Sequence, residues 1–136
     1  MTDSSISPAE ALASIALVAI AADGYLTEQE GQDMTMLLSR MALFSSYSRE
    51  SLHRLFSHLL RRLKQEGPGA LVNQAKTVLP QDLRETAFAI ATDLVLSDRT
   101  LTPQEQSFLE DLCVILDIPN PTAQQIVQVM TIKNRG

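Results

Sequence analysis

Asp23-Gly24-Tyr25-Leu26-Thr27-Glu28-Gln29-Glu30 returns as Asp98-Arg99-Thr100-Leu101-Thr102-Pro103-Gln104-Glu105, an offset of 75 residues. Asp, Leu, Thr and Glu keep their places in both copies. Outward from the motif the apolar positions match as well: Ile15 with Ile90, Ala16 with Ala91 and Ile20 with Val95 on one side. On the other side Met34 pairs with Leu109, Leu37 with Leu112, Leu38 with Cys113 and Met41 with Leu116. An internal duplication of this kind predicts a pseudo-twofold fold in which two acidic bends converge.

The composition sets the fold class. A chain of 136 residues, 45% hydrophobic, suits one compact domain with a sizeable core. With aromatics at 4% and no Trp, that core is built from Leu, Ile, Val, Ala and Met. Only 5 Gly and 6 Pro are too few for the turns of an all-β chain. A single cysteine excludes an intramolecular disulfide and a Cys-based zinc cluster. The apolar run from Ala11 to Ala22 is flanked by Asp3 and Glu10 with no Lys or Arg. Those are the wrong flanks for a signal peptide, and the run is too short for a bilayer span. A soluble, cytoplasmic protein that is not integral to a membrane is expected. A net charge of −5 argues against non-specific nucleic-acid binding by the whole surface.

Punctuation and period predict seven helices and no strand. Ser7-Pro8-Ala9-Glu10 is a capping box opening the first helix, which runs to near Asp23 with Leu12, Ile15, Ala16 and Ala19 on its apolar face. Thr27 to Glu30 opens the second, with Met34, Leu37, Leu38 and Met41 as its stripe. The third lies between Ser48 and Gly67. Its row Leu52, Leu55, Phe56, Leu59, Leu60, Leu63 is the strongest amphipathic signal in the chain. Further helices are expected over 69–78, 81–97, 103–117 and 121–134, separated by Leu79-Pro80 and Ile118-Pro119-Asn120-Pro121. The expected architecture is a single all-α domain over 1–136. Its two repeats, about 8–43 and 83–118, pack on one another, with the third helix closing the core.

Two readings of the acidic motif stand side by side. In the first, Thr followed three residues later by Glu is only a helix cap, worth about 0.5–2 kcal/mol. Asp before a turn is then a turn former, and Leu26 and Leu101 plug the corners. In the second, the pseudo-twofold brings Asp23, Glu30, Asp98 and Glu105 together. Four carboxylates that close require protonation or a cation between them. An all-oxygen set selects calcium, magnesium or manganese over zinc. The spacing is not that of an EF-hand, because Tyr25, Thr27 and Met34 fall where oxygen ligands are needed.

The run Ala22-Asp23-Gly24-Tyr25-Leu26-Thr27 with Glu30, after an Ala-rich helix and before a Leu/Met stripe, resembles the TerB-like proteins of the tellurite-resistance group. The second copy, Leu101-Thr102 with Glu105, fits the same scheme, and the likeness extends over about 7–117. The resemblance implies an all-helical cytosolic domain whose acidic residues bind a divalent metal, at Asp23 and Glu30 first, then Asp98 and Glu105. It also implies a role in tellurite resistance and stress response through protein complexes near the membrane, with no enzyme activity. In the second copy Arg99 replaces Gly24, setting a cation beside Asp98.

Between Arg40 and Lys64 six basic residues face a single acid, Glu50. Arg54, His58, Arg61 and Arg62 share the polar face of the third helix. That face is either solvated or a docking strip for an anionic partner. No aromatic side chain interleaves with the charges, as single-strand nucleic-acid binding would need. His53 and His58 lie about 140° apart on a helix and cannot share a ligand. Cys113, on the core stripe, reads as a small hydrophobe. No phosphate loop, nucleophile elbow, zinc-protease motif or dinucleotide fingerprint is present, so no organic cofactor is expected. The function expected is non-enzymatic binding to other proteins, linked to a divalent cation. The alternatives are a metal-free helical interaction scaffold and, last, a metal-dependent hydrolase using the four carboxylates.

Overall fold

The computed structural model describes residues 6–21, 25–97 and 101–135, which form seven α-helices and, among those residues, no strand. They are α1 (Pro8–Ala21), α2 (Glu28–Ser39), α3 (Arg49–Glu66), α4 (Pro68–Val78), α5 (Gln81–Leu96), α6 (Pro103–Ile115) and α7 (Asn120–Lys133). A 3₁₀ turn at Ala42–Phe44, which the sequence did not announce, lies against α1 and α2 and buries Phe44.

The ends obey local chemistry. Ser7 and Glu10 close the box that opens α1, through backbone-to-side-chain bonds of 2.9 and 3.1 Å. Ser48 Oγ accepts from the Ser51 amide at 3.0 Å and opens α3. Gly67 ends α3 and leads into α4 at φ 88°, a backbone conformation that glycine adopts without steric penalty. After α6, Asp117 takes φ 56°, with the Ile118 amide on the Cys113 carbonyl and the Asp117 amide on that of Val114. That is a Schellman ending in which aspartate fills the place usually held by glycine.

The duplication is visible in the helix ends. α1 stops at Ala21 and α5 at Leu96; α2 starts at Glu28 and α6 at Pro103. Both pairs keep the offset of 75 residues. α1 and α5 pack side by side, so the first helices of the two repeats form the centre of the molecule. Met34 and Leu109, Leu38 and Cys113 occupy matching buried sites on α2 and α6.

One expectation was too narrow. The sequence predicts an apolar face on α1, yet every residue from Ala11 to Val18 is buried. A helix that is apolar all round belongs inside a core, and α1 touches α2, α3, α4 and α5. Its alanines (Ala11, Ala13, Ala16) let those neighbours approach closely. The broadest neighbour is α4, through Leu71, Val72 and Ala75, and α3 covers the remaining side with Leu52, Leu55, Phe56, Leu59 and Leu63. Each fully buried leucine among these contributes about 1.5–3 kcal/mol.

One difference between the repeats sets a charge in the core. Val18 of α1 corresponds to Asp93 of α5, which is only 7% exposed. There α7 lies across α5: Lys133 Nζ sits 3.1 Å from Asp93 Oδ1, and Asn134 Nδ2 donates to the same oxygen at 2.9 Å. On the far side of the core, Arg84 of α5 donates to the Leu79 and Lys76 carbonyls at 2.8 and 3.0 Å, capping the end of α4. Lys76 also pairs with Asp117 at 3.0 Å and thereby ties α4 to the end of α6.

Candidate functional site

Both repeats build the same box at the start of their second helix. Thr27 and Thr102 are extended N-caps, with φ, ψ of −72°, 159° and −76°, 158°. The Glu30 amide donates to Thr27 Oγ1 at 3.1 Å, and Glu30 Oε1 accepts from the Thr27 amide at 3.0 Å. Glu105 and Thr102 repeat the arrangement at 3.1 and 3.0 Å. Each carboxylate is thus fixed in direction by one oxygen, and its second oxygen takes no part in the cap. The N-terminal ends of α2 and α6 favour negative charge at these two positions.

Glu30 and Glu105 line one cleft of about 310 Å³. Its floor is Ala19 and Ile20 of α1 and Leu94 and Val95 of α5, the paired central helices. Asp33, one turn beyond Glu30, and Ser97, at the end of α5, complete the wall. Asp33 was not singled out from sequence. Its counterpart in the second repeat is Phe108, so the duplication hid it, although the i, i+3 spacing from Glu30 marks the same helix face. Gln29 Nε2 donates to Asp33 Oδ1 at 2.8 Å and orients that carboxylate.

Asp23 and Asp98 lie outside the described residues. Among the described residues no three of His, Cys, Asp and Glu stand close enough together to hold a metal ion. The cleft nevertheless presents only oxygen donors among its polar side chains, which fits a hard divalent cation and does not suit zinc or copper. The corners are unequal. Leu26 packs partly buried against the core, whereas Leu101, expected to plug the second corner, is 38% exposed.

The basic face of α3 is partly neutralised by its own helix. Arg62 grips Glu66 with two hydrogen bonds, Nε to Oε2 at 2.9 Å and Nη2 to Oε1 at 3.0 Å. These bonds, aided by the charges of Arg62 and His58, hold the Glu66 carboxyl below the usual carboxylate range. Arg54 pairs with Glu50 at 3.2 Å in the open. His58 and Arg61 are exposed on the same face. Glu66 fell just beyond the stretch in which sequence counting found one acid, so the strip carries less free charge than expected. Cys113 donates to the Ile118 carbonyl at 3.2 Å, and burial pushes its thiol up, away from the reactive thiolate.

No helix among the described residues is long and apolar enough to cross a membrane. A protein-family model described as tellurite resistance protein TerB matches residues 9–128, most of the chain. No curated protein and no solved structure matches.

Proposed function

The chain belongs to the TerB family of tellurite resistance proteins, and from that premise we propose that it is a non-enzymatic binding module whose cleft takes a divalent cation. The observation that carries this reading is the presence of Glu30 and Glu105 in the lining of one cleft, each with an oxygen left over by its capping box. Asp33 adds a third carboxylate to the lining, and Asp23 and Asp98, each four positions before its capping threonine in the sequence, are the further ligands proposed. Calcium, magnesium and manganese are the ions this donor set suits. A bound cation would neutralise the carboxylates and join the starts of α2 and α6.

The module's role is cation-linked association with other proteins in a tellurite-type stress response, in the cytoplasm. The polar face of α3, with Arg54, His58 and Arg61 exposed and Arg62 held by Glu66, is the surface offered to an anionic partner. The competing reading, a metal-free interaction scaffold, draws on the same geometry, since each glutamate already has a structural duty as a cap. Thermal unfolding with and without millimolar calcium, magnesium or manganese separates the two. A cation that binds the folded state raises the melting temperature, and no shift with any of the three ions would leave the scaffold reading.

A further inference from the structure

The last helix is attached in an unusual way. α7 contributes one buried residue, Ala123, and three half-buried apolar ones, Ile126, Val127 and Met130, while Val129 and Ile132 point to solvent. Such a face supplies little apolar burial for a helix of 14 residues. What fastens its far end is polar: Lys133 and Asn134 both reach Asp93 Oδ1, across 40 and 41 residues of sequence. The Asp93 side chain is 10% exposed and that of Lys133 is 57% exposed, so a buried anion is answered by a cation at the surface. In the first repeat the same position is Val18, fully packed in the core. An apolar residue at 93 would hold α7 by packing alone, but a carboxylate there makes its seating depend on a cationic partner.

We propose that α7 is a latched arm, which lifts from α5 as a unit and is held down by the grip of Lys133 and Asn134 on Asp93. When the arm lifts, the carboxylate is hydrated and the face of α5 beneath the helix becomes accessible. Leu94 and Val95, which follow Asp93 directly, line the cleft, so the arm and the candidate site share one turn of α5.

Amide hydrogen exchange on the full chain tests this. In the unaltered protein the amides of 124–133 should exchange about tenfold faster than those of α1, through a sub-global opening. Lys133→Met keeps the aliphatic stem and removes the charge. It should speed exchange in α7 by about a further tenfold and leave α1 and α4 unchanged. Lys133→Arg should restore the original rate. Raising sodium chloride from about 0.05 to about 0.5 M should speed α7 exchange in the unaltered chain and have no effect in Asp93→Val, where this ion pair is gone. Exchange of α7 and α1 in step, or a Lys133→Met chain with the original α7 rate, overturns the proposal.

Discussion

Glu30 and Glu105, at equivalent places in the two repeats, stand on the wall of one cleft while each serves as the third residue of its own helix. The capping box aims one oxygen of each back at the backbone, so neither side chain is free to swing away. The duplicated sequence therefore produces two carboxylates whose directions are set before any ligand arrives. Preorganisation of this sort reduces the ordering cost of binding.

Thr27→Ala and Thr102→Ala each remove a hydroxyl that accepts from the amide at the third helical position. Each should destabilise the fold by about 1 kcal/mol, read as a lower urea midpoint with an unchanged denaturant slope.

Arg84→Ala should cost about 1–3 kcal/mol, since it strips two hydrogen bonds from carbonyls at the end of α4 and leaves a part-buried helix terminus uncapped. Arg84→Lys should recover only part of this, because a single ammonium cannot reproduce the guanidinium fork. Urea denaturation of the three proteins at neutral pH decides the matter.

Ala16, fully buried on α1 between packed helices, has no room to grow. Ala16→Leu should destabilise by about 1–3 kcal/mol through overpacking, and Leu12→Ala should cost about 2–5 kcal/mol through the cavity it leaves. A chain that absorbs Ala16→Leu without loss of melting temperature would contradict the central placing of α1.

The acid limb of the stability curve should carry the mark of Asp117 and Glu66. The hydrogen bond and charge of Lys76, with a smaller pull from Arg84, hold the Asp117 carboxyl low, as Arg62 holds that of Glu66. A carboxylate whose folded value is depressed stabilises the fold above its unfolded value, about pH 4. That contribution is lost as pH falls through the lower folded value. Asp117→Asn with Glu66→Gln should therefore flatten the decline in melting temperature below about pH 4. Both side chains are largely exposed, at 62% and 43%, so the effect is small, and asparagine still tolerates the positive φ at 117.

Much of this fold can be read in the sequence. Capping chemistry at Ser7, Thr27, Ser48 and Thr102, with the breaks at Gly67 and Pro80, placed the helix ends to within a residue or two, because those signals act locally. The repeat predicts that the two halves pack on one another, but not that the contact runs through α1 and α5. Nor does it predict the prominence of α4, because Leu71, Val72 and Ala75 form a short stripe whose importance depends on lying against α1. In the site, Glu30 and Glu105 were legible through their spacing from threonine. Asp33 was hidden by its partner in the repeat being Phe108. Asp93 was hidden by its setting, a single acid in an apolar helix, whose meaning depends on α7 arriving from 40 residues away.

The most direct measurement is calorimetric titration of calcium, magnesium and manganese into the unaltered chain and into Glu30→Gln with Glu105→Gln. Glutamine still completes a capping box, so in the absence of metal the variant should stay folded and lose, besides ligand charge, only the modest stabilisation that a carboxylate gives a helix N-terminus. The account predicts one cation bound per unaltered chain and binding weakened by at least about tenfold in the variant, about 1.4 kcal/mol. Equal affinity in the two proteins, or no binding of any of the three ions, would contradict it.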